Sequence, residues 1–271
     1  HRVHRRQRQM CIRDRFCNVS GDRVFSAVDA STIYEVPLLL NSEGLDEKIV
    51  EILGIWTGRP NLSKWRSIVK SIQSPAGEIT IGMVGKYTHL KESYKSLAEA
   101  LVHGGVSQNV RVKTEYLDSE KLESGVSELK NVDGILVPGG FGERGIEGKI
   151  NAIRYARENK VPFLGICLGM QLAVVEFARN VCGLKEANSS EFNPGGNANV
   201  IDLMHAQRSV SDKGGTMRLG AYPCDIVKNL QNQSTQAYSS YKKTQVSERH
   251  RHRYEVSNDF RSQLEAAGLV V

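Results

Sequence analysis

The stretch VPFLGICLGMQLAVVEFARN, residues 161–180, decides the fold. Its first residues are apolar and predict a buried strand, and the residues after Gly169 have the apolar spacing of a helix. Cys167 lies at the turn between them, in a Gly-x-Cys-x-Gly string that has the form of a nucleophile elbow with cysteine in place of serine. Gly165 and Gly169 permit a tight turn that projects the thiol above the sheet edge. The Leu168 amide then points to where an oxyanion would form, and the helix N-terminus is expected to favour the thiolate.

A glycine loop ends the preceding predicted strand, in the string PGGFG at residues 138–142. Sites in parallel sheets lie beyond the carboxyl ends of the strands, so this loop and Cys167 are expected at the same edge. The Gly140 amide would complete a two-amide oxyanion hole. The alternative is a buried cysteine in an ordinary strand–helix turn, with Gly139 and Gly140 serving the turn only.

Strands and helices alternate on both sides of this stretch. The predicted strands are ITIGMVGKY (79–87), NVRVKTEYLDSE (109–120), VDGILVPGG (132–140) and VPFLGICLG (161–169). The predicted helices are ESYKSLAEALVHGG (92–105, with Gly104 at its end), IEGKINAIRYARENK (146–160) and MQLAVVEFARNVCG (170–183). This order predicts an α/β fold with a mostly parallel sheet flanked by helices. Residues 193–215 are expected to form a long loop.

The net charge of +6 is concentrated in one short segment. Residues 1–15 hold six arginines and one aspartate, so the rest of the chain is nearly neutral and needs no polyanionic partner. Arg5 to Asp14 also resemble the translation of a transposon adapter used in sequencing libraries, which indicates a cloning or sequencing scar. A basic arm that binds phosphate is the other interpretation of this segment.

The cysteines and the hydropathy of the sequence exclude several classes of protein. The five cysteines include no Cys-x-x-Cys pair, so neither a disulfide framework nor a zinc site is indicated, and no metal site is predicted. The longest apolar stretch, residues 161–178, contains Gln171 and Glu176 and is interrupted by glycine, so no membrane span is predicted. We expect a cytoplasmic protein.

The strings GICLGMQ and VPGGFG together resemble the class I glutamine amidotransferases. Further strings are similar to the CTP synthase family: STIYEVPLLL, IGMVGKY, ESYKSLAEAL, NSSEF, GGTMRLGAYPC and ERHRHRYEV. The resemblance runs from about residue 16 to residue 271. It implies the end of a synthetase domain at 16–52, an interdomain linker at 53–77 and a glutamine amidotransferase domain at 78–271, after a scar at 1–15.

The resemblance implies roles for individual residues. Cys167 matches the nucleophile that takes ammonia from glutamine through a thioester. Gly140 and four consecutive residues match positions that hold glutamine and its oxyanion; the four are Leu168, Gly169, Met170 and Gln171.

Two charged residues match the positions that bind the ends of the substrate. Glu191 matches the acid on the amino group, and an ammonium requires such a partner. Arg253 matches the residue on the carboxylate, a task that suits a planar guanidinium. Without the resemblance, the RHRHRY run at 249–254 is typical of a solvated basic surface, and Glu191 of a surface acid.

The sequence also departs from the family. There the triad is completed by a His-Pro-Glu string, which none of the seven histidines here forms, and His250 and His252 are not assigned that role. We therefore expect a chain truncated at both ends, with an incomplete sheet, poor glutamine binding and negligible glutamine turnover. The P-loop and the Mg-ATP and UTP sites would lie upstream, with Asp29 at most at the edge of an ATP site.

The family further implies GTP as an effector and a homo-oligomer, a tetramer. The parent reaction would be ATP-dependent amination of UTP to CTP. Three alternatives remain open: another class I amidotransferase or a γ-glutamyl hydrolase, a non-catalytic regulatory module that has lost its triad, and a nucleic-acid-binding module resting on the net charge.

Overall fold

The computed structural model describes residues 18–86, 88–203, 218–230 and 233–271. The basic segment 1–15 and the later part of the predicted loop 193–215 lie outside the described residues. The chain divides into two compact units, His1–Glu78 with Glu99–Val112, and Ile79–Ala98 with Lys113–Val271. The domain boundaries expected from the sequence stay a prediction.

The helices of the described residues are α1 (Val36–Ser42), α2 (Leu45–Leu53), α3 (Ser63–Gln73), α4 (Lys95–Gln108), α5 (Ile146–Asn159), α6 (Leu168–Asn180), α7 (Gln236–Tyr241) and α8 (Asn258–Ala266). The strands are β1 (Gly77–Gly85), β2 (Val110–Asp118), β3 (Gly134–Val137), β4 (Phe163–Gly165), β5 (Asn188–Ser189), β6 (Asn199–Leu203), β7 (Arg218–Asp225), β8 (Asn229–Leu230), β9 (Gln233–Ser234), β10 (Gln245–His252) and β11 (Tyr254–Val256). Short 3₁₀ turns precede α1 and α4.

The central sheet has the strand order β2-β1-β3-β4. β1 pairs with β3, and β3 with β4, in parallel. A parallel pair requires a crossover, which α5 supplies between β3 and β4. The predicted α/β class with a mostly parallel sheet and flanking helices is therefore confirmed.

A continuous apolar core lies between the sheet and its helices. Val137 of β3, Leu168 and Val175 of α6, and Ala152 of α5 are almost fully buried in it. One ion pair, buried on its carboxylate side, connects the two helices. The guanidinium of Arg157 on α5 binds the carboxylate of Glu176 on α6 through both oxygens, and Glu176 is 1% exposed.

The first unit is organised around Tyr34. The Tyr34 hydroxyl donates to the Glu99 carboxylate at 2.6 Å and lies 2.7 Å from Nε2 of His103 on α4. The indole of Trp65 on α3 donates to the Tyr34 carbonyl at 2.6 Å. Tyr34 therefore connects α3 to α4.

Helix α4 corrects one sequence prediction. The helix was expected to end at Gly104, but it continues to Gln108. A Cβ on the next residue, Gly105, would lie 2.6 Å from the Val110 carbonyl oxygen and 2.8 Å from Cγ2 of Val112. Glycine is needed here because β2 returns closely against the helix, not because the helix stops.

A second, smaller sheet corrects another prediction. The segment 193–215 was expected to be a loop throughout, yet it contains β6. β6 pairs in parallel with β5 and antiparallel with β11, in the order β11-β6-β5. β7 and β10 form a separate antiparallel pair. Within the described ranges, none of the helices combines the length and the apolar character needed to cross a bilayer.

Candidate active site

Cys167 occupies a strained turn between β4 and α6. Its φ of 54° and ψ of −108° are unusual for a residue with a side chain. The turn is fixed on both sides, because the Ile166 amide donates to the Val137 carbonyl at 2.9 Å and the Gly169 amide to the Ile166 carbonyl at 3.0 Å. This is the geometry expected of a nucleophile elbow.

The two glycines of the elbow are required by backbone contacts. A Cβ on Gly165 would lie 2.5 Å from the carbonyl carbon of Gly169. A Cβ on Gly169 would lie 2.0 Å from the Val137 carbonyl oxygen. No side chain can relieve either collision, since both obstacles are main chain. The Gly-x-Cys-x-Gly spacing therefore follows from how closely α6 packs on β3 and β4.

Two backbone amides converge on the thiol. The amides of Leu168 and Gly140 both lie close enough to the Cys167 thiol to lower its pKa. The loop that carries Gly140 is close by, since a Cβ on Gly139 would lie 3.4 Å from the Cβ of Cys167. The structure thus brings together the two amides that the sequence predicts for an oxyanion hole.

The charge state of the thiol differs from the expectation. Burial raises the pKa of the Cys167 thiol, and the nearby Glu191 carboxylate raises it further, while the amides of Leu168 and Gly140 lower it. The net pKa lies above the ordinary value. The amide of Leu168 at the helix N-terminus favours the thiolate as predicted, but desolvation outweighs it, so the net effect of the site is to favour the protonated thiol.

Cys167 opens into a cleft of about 290 Å³. The lining residues are Gly140, Phe141, Cys167, Gln171, Glu191, Arg251, His252, Arg253 and Tyr254. The cleft thus joins a thiol, a carboxylate and two guanidinium groups. Such a set of charges is complementary to a zwitterionic amino acid, whose ammonium and carboxylate need partners of opposite sign.

The small sheet positions the charged side chains. Glu191 follows β5, and its amide donates to the hydroxyl of Ser189 at 3.2 Å. Arg253 lies between β10 and β11. Because β11 and β5 both pair with β6, residues far apart in sequence lie close together in this part of the cleft.

The remaining predicted site residues take different places. The side-chain amide of Gln171, 5% exposed, donates to the Tyr254 carbonyl at 3.1 Å and so holds β11 against α6. Leu168 and Gly169 are buried and contribute backbone. Met170 is 41% exposed and lies outside the cleft lining.

The nucleotide and metal expectations concern other parts of the chain. Asp29 is an exposed residue of the first unit, and its role at an ATP site stays a prediction. Across the described ranges, no group of three or more histidine, cysteine, aspartate or glutamate side chains could hold a metal ion.

Several residues in and beside the site were not predicted from the sequence. Arg251, His252 and Tyr254 line the cleft beside Arg253. Lys86 is 8% exposed, and its ammonium donates to the carbonyl oxygens of Phe141 at 2.7 Å and Gly142 at 2.8 Å. A lysine directly after an apolar parallel strand was the signal for it, since functional residues concentrate at that end of the sheet.

Comparisons with known proteins agree with this geometry. The family model described as glutamine amidotransferase class-I matches residues 89–271. A CTP synthase of Geobacter sulfurreducens is 58% identical over 259 residues, which cover 94% of this chain and 47% of the relative. A CTP synthase of Syntrophus aciditrophicus is 56% identical over 256 residues, with the same coverage. The chain therefore spans about half the length of the curated relatives it matches.

A solved structure is similar as well. The glutaminase domain of Trypanosoma brucei CTPS with bound acivicin superimposes with a TM-score of 0.62 at 40% identity. The match covers 70% of this chain and 72% of the solved chain.

Proposed function

The chain belongs to the class I glutamine amidotransferase family, and we propose that it releases ammonia from glutamine at Cys167 as part of a CTP synthase. The observation that carries the proposal is the cleft, whose lining includes Cys167, Gly140, Glu191 and Arg253. Each of these residues has a group on glutamine that it can bind or attack. The names of the similar proteins support the CTP synthase assignment.

In the proposed reaction, the Cys167 sulfur attacks the side-chain amide carbon of glutamine. The former carbonyl oxygen becomes an oxyanion, which the amides of Leu168 and Gly140 stabilise. The carbon–nitrogen bond then breaks, and ammonia leaves with the proton that the thiol gave up. Water cleaves the remaining thioester, which yields glutamate and restores the thiol.

The substrate is held by its two charged ends. Glu191 binds the ammonium and Arg253 the carboxylate, so the side-chain amide extends towards Cys167. Because the pKa of the thiol is raised, its proton must pass to a base before attack. The family places that base on the histidine of a His-Pro-Glu string, which the printed sequence does not contain.

The ammonia would then aminate UTP in an ATP- and Mg²⁺-dependent step, with GTP as effector. We propose a cytoplasmic homo-oligomer, a tetramer, as the working form.

The glutamine part of the proposal is tested by covalent labelling. A diazoketone analogue of glutamine should alkylate Cys167 in one-to-one stoichiometry, and L-glutamine should slow the reaction. Cys167→Ala should abolish labelling, whereas Cys224→Ala, at an exposed cysteine, should leave it unchanged. Labelling shared equally among the cysteines, with no protection by L-glutamine, would contradict the proposal.

A turnover assay tests whether glutamine hydrolysis needs the histidine of the family triad. We expect negligible glutamine hydrolysis by this chain, because that histidine is not in its sequence. Robust hydrolysis that Cys167→Ala abolishes would show that another group serves as the base.

The proposed amination of UTP is tested by the sequence of the surrounding reading frame. A P-loop synthetase domain there would support CTP synthesis, and its absence would favour a γ-glutamyl hydrolase.

A further inference from the structure

Lys86 contacts the loop that borders the cleft without lining the cleft itself. It follows β1 directly, and its backbone amide donates to the Tyr94 hydroxyl at 3.1 Å. Its ammonium donates to two successive carbonyls, those of Phe141 and Gly142. A buried ammonium needs such fixed acceptors, because desolvation without hydrogen bonds is expensive.

The Phe141–Gly142 peptide connects this lysine to the site. Its carbonyl oxygen accepts from Lys86 at 2.7 Å, and its N–H, on Gly142, donates to Oε1 of Glu191 at 3.2 Å. In a trans peptide the C=O and N–H bonds point in opposite directions. An ammonium that fixes the carbonyl therefore also aims the N–H at the carboxylate. Hydrogen bonds in such a chain polarise and strengthen one another.

The loop needs an external anchor. It contains three glycines within four residues, Gly139, Gly140 and Gly142, and Gly142 has a φ of 76°. Glycine loses more conformational freedom on ordering than any other residue, so this segment is costly to hold in one conformation. Two hydrogen bonds from one buried cation supply that restraint at the peptides that follow Gly140.

Charged groups of both signs lie near Lys86, and the net pKa of its ammonium is lowered. Burial lowers the pKa of its ammonium, and the Arg144 guanidinium lowers it further, while the carboxylates of Glu191 and Glu120 raise it. Arg144 itself binds Glu120 at 2.9 Å.

We propose that Lys86 is a positioning residue of the glutamine site: through the Phe141–Gly142 peptide it holds the Glu191 carboxylate and the Gly140 amide in place. The inference rests on the proposed function, since it deepens the description of the same site. Lys86 itself does not contact the substrate in this proposal.

The test uses Lys86→Met, which removes the ammonium and keeps most of the side-chain volume. Two properties of Cys167 are measured: the pH dependence of its alkylation by iodoacetamide, and the L-glutamine concentration that halves the alkylation rate. We expect the alkylation midpoint to move to higher pH, because the Gly140 amide no longer stabilises the thiolate. We also expect the half-protecting glutamine concentration to rise at least tenfold, because Glu191 is no longer aimed.

Two controls exclude simpler explanations. Lys86→Arg keeps the charge and can donate to both carbonyls, so it should recover most of the wild-type behaviour. Arg144→Gln removes a cation and a 3.5 Å hydrogen bond to the Lys86 carbonyl, but it leaves both hydrogen bonds of the Lys86 ammonium in place, so it should have the smaller effect. If Lys86→Met does not fold, as judged by thermal unfolding, Lys86→Gln replaces it.

Coupling to Glu191 gives a further readout. If Lys86 acts through Glu191, the glutamine-protection defects of Lys86→Met and Glu191→Gln should not multiply in the double variant. The inference would be overturned if the two protection defects multiplied in the double variant. It would also be overturned if Lys86→Met left the alkylation midpoint unchanged and glutamine protection within twofold of wild type. If wild-type Cys167 is alkylated but L-glutamine does not protect it, the proposed function fails, while the alkylation midpoint still decides whether Lys86 positions Gly140.

Discussion

The two sides of the cleft are built in different ways. The nucleophile side, formed by Gly140, Cys167 and Leu168, is backbone at the ends of parallel strands, and its neighbours are buried. The recognition side, formed by Glu191, Arg251 and Arg253, consists of charged side chains on loops and strand ends that keep part of their surface exposed. On the nucleophile side, the main chain packs so closely that it leaves no room for a Cβ at Gly165 or Gly169. On the recognition side, a hydrogen bond between residues far apart in sequence fixes the Glu191 carboxylate.

This difference separates stability from binding. A change on the nucleophile side has to move main chain in a close-packed core, so it should act on folding first. A change on the recognition side can be accommodated by the loop, so it should act on glutamine and leave the fold intact. The hydrogen bond from Gly142 to Glu191, which spans 49 residues, joins the two sides.

The largest contrast is expected between two glycines, one on each side. Gly169→Ala places a Cβ 2.0 Å from the Val137 carbonyl oxygen, and we expect a loss of about 3 kcal/mol or more in the free energy of unfolding. Gly195→Ala, in the loop after Glu191, meets no atom within 4 Å and should stay within about 1 kcal/mol of wild type. Urea unfolding of both variants measures the contrast. Equal stabilities would mean that the elbow is not close-packed.

The next effect is expected on the recognition side. Glu191→Gln keeps an oxygen that can accept from the Gly142 amide and removes the charge that the substrate ammonium needs. A lost charge-assisted hydrogen bond of about 1.5–3 kcal/mol corresponds to roughly tenfold to hundredfold weaker binding. Glutamine protection of Cys167 from iodoacetamide measures this loss. An equally large drop in unfolding free energy would instead make Glu191 a structural residue.

The smallest effect concerns the thiol and joins both sides. Since its pKa is raised above the ordinary value, the rate of Cys167 alkylation should still increase with pH above about 9. Glu191→Gln removes one of the causes of the raised pKa, so it should speed alkylation at pH 8 by about twofold or more while it weakens glutamine binding. Slower alkylation of Glu191→Gln at pH 8 would contradict the conclusion that Glu191 raises the pKa of Cys167.

The same raised pKa has a consequence for stability. A group that binds its proton more tightly in the folded state contributes stability below its unfolded pKa and loses it as the pH rises through the folded pKa. For Cys167 the loss should therefore begin at alkaline pH. Cys167→Ala should remove that part of the pH dependence of unfolding, and an unchanged dependence would place its origin in other groups.

Much of the nucleophile side could be predicted from the sequence. The alternation of apolar strands and helices, the glycines at 165 and 169, and the pairing of the Leu168 and Gly140 amides all follow from local patterns. The net charge state of Cys167 could not be predicted, because burial depends on atoms from several elements. Likewise, Gly104 resembles a helix end until Gly105 is seen against the returning strand β2.

The recognition side depended on the fold and on resemblance. Nothing local distinguishes Glu191 from a surface acid or Arg253 from a solvated base, and neither Arg251 nor His252 carried a signal strong enough to select it. The strand β6, inside a segment of loop-like composition, is what brings β5 and β11 together.

The sequence by itself determined the elbow, since a Gly-x-Cys-x-Gly string between an apolar strand and a helix is typical of a tight turn at the end of a strand. Only the tertiary structure decided which charged side chains face the thiol and in which direction its pKa moves. The physical reason is the distance over which each effect acts. The local sequence pattern reflects limits on the backbone between neighbours in the chain, whereas desolvation and charge pairing act between any residues that the fold brings within a few ångströms.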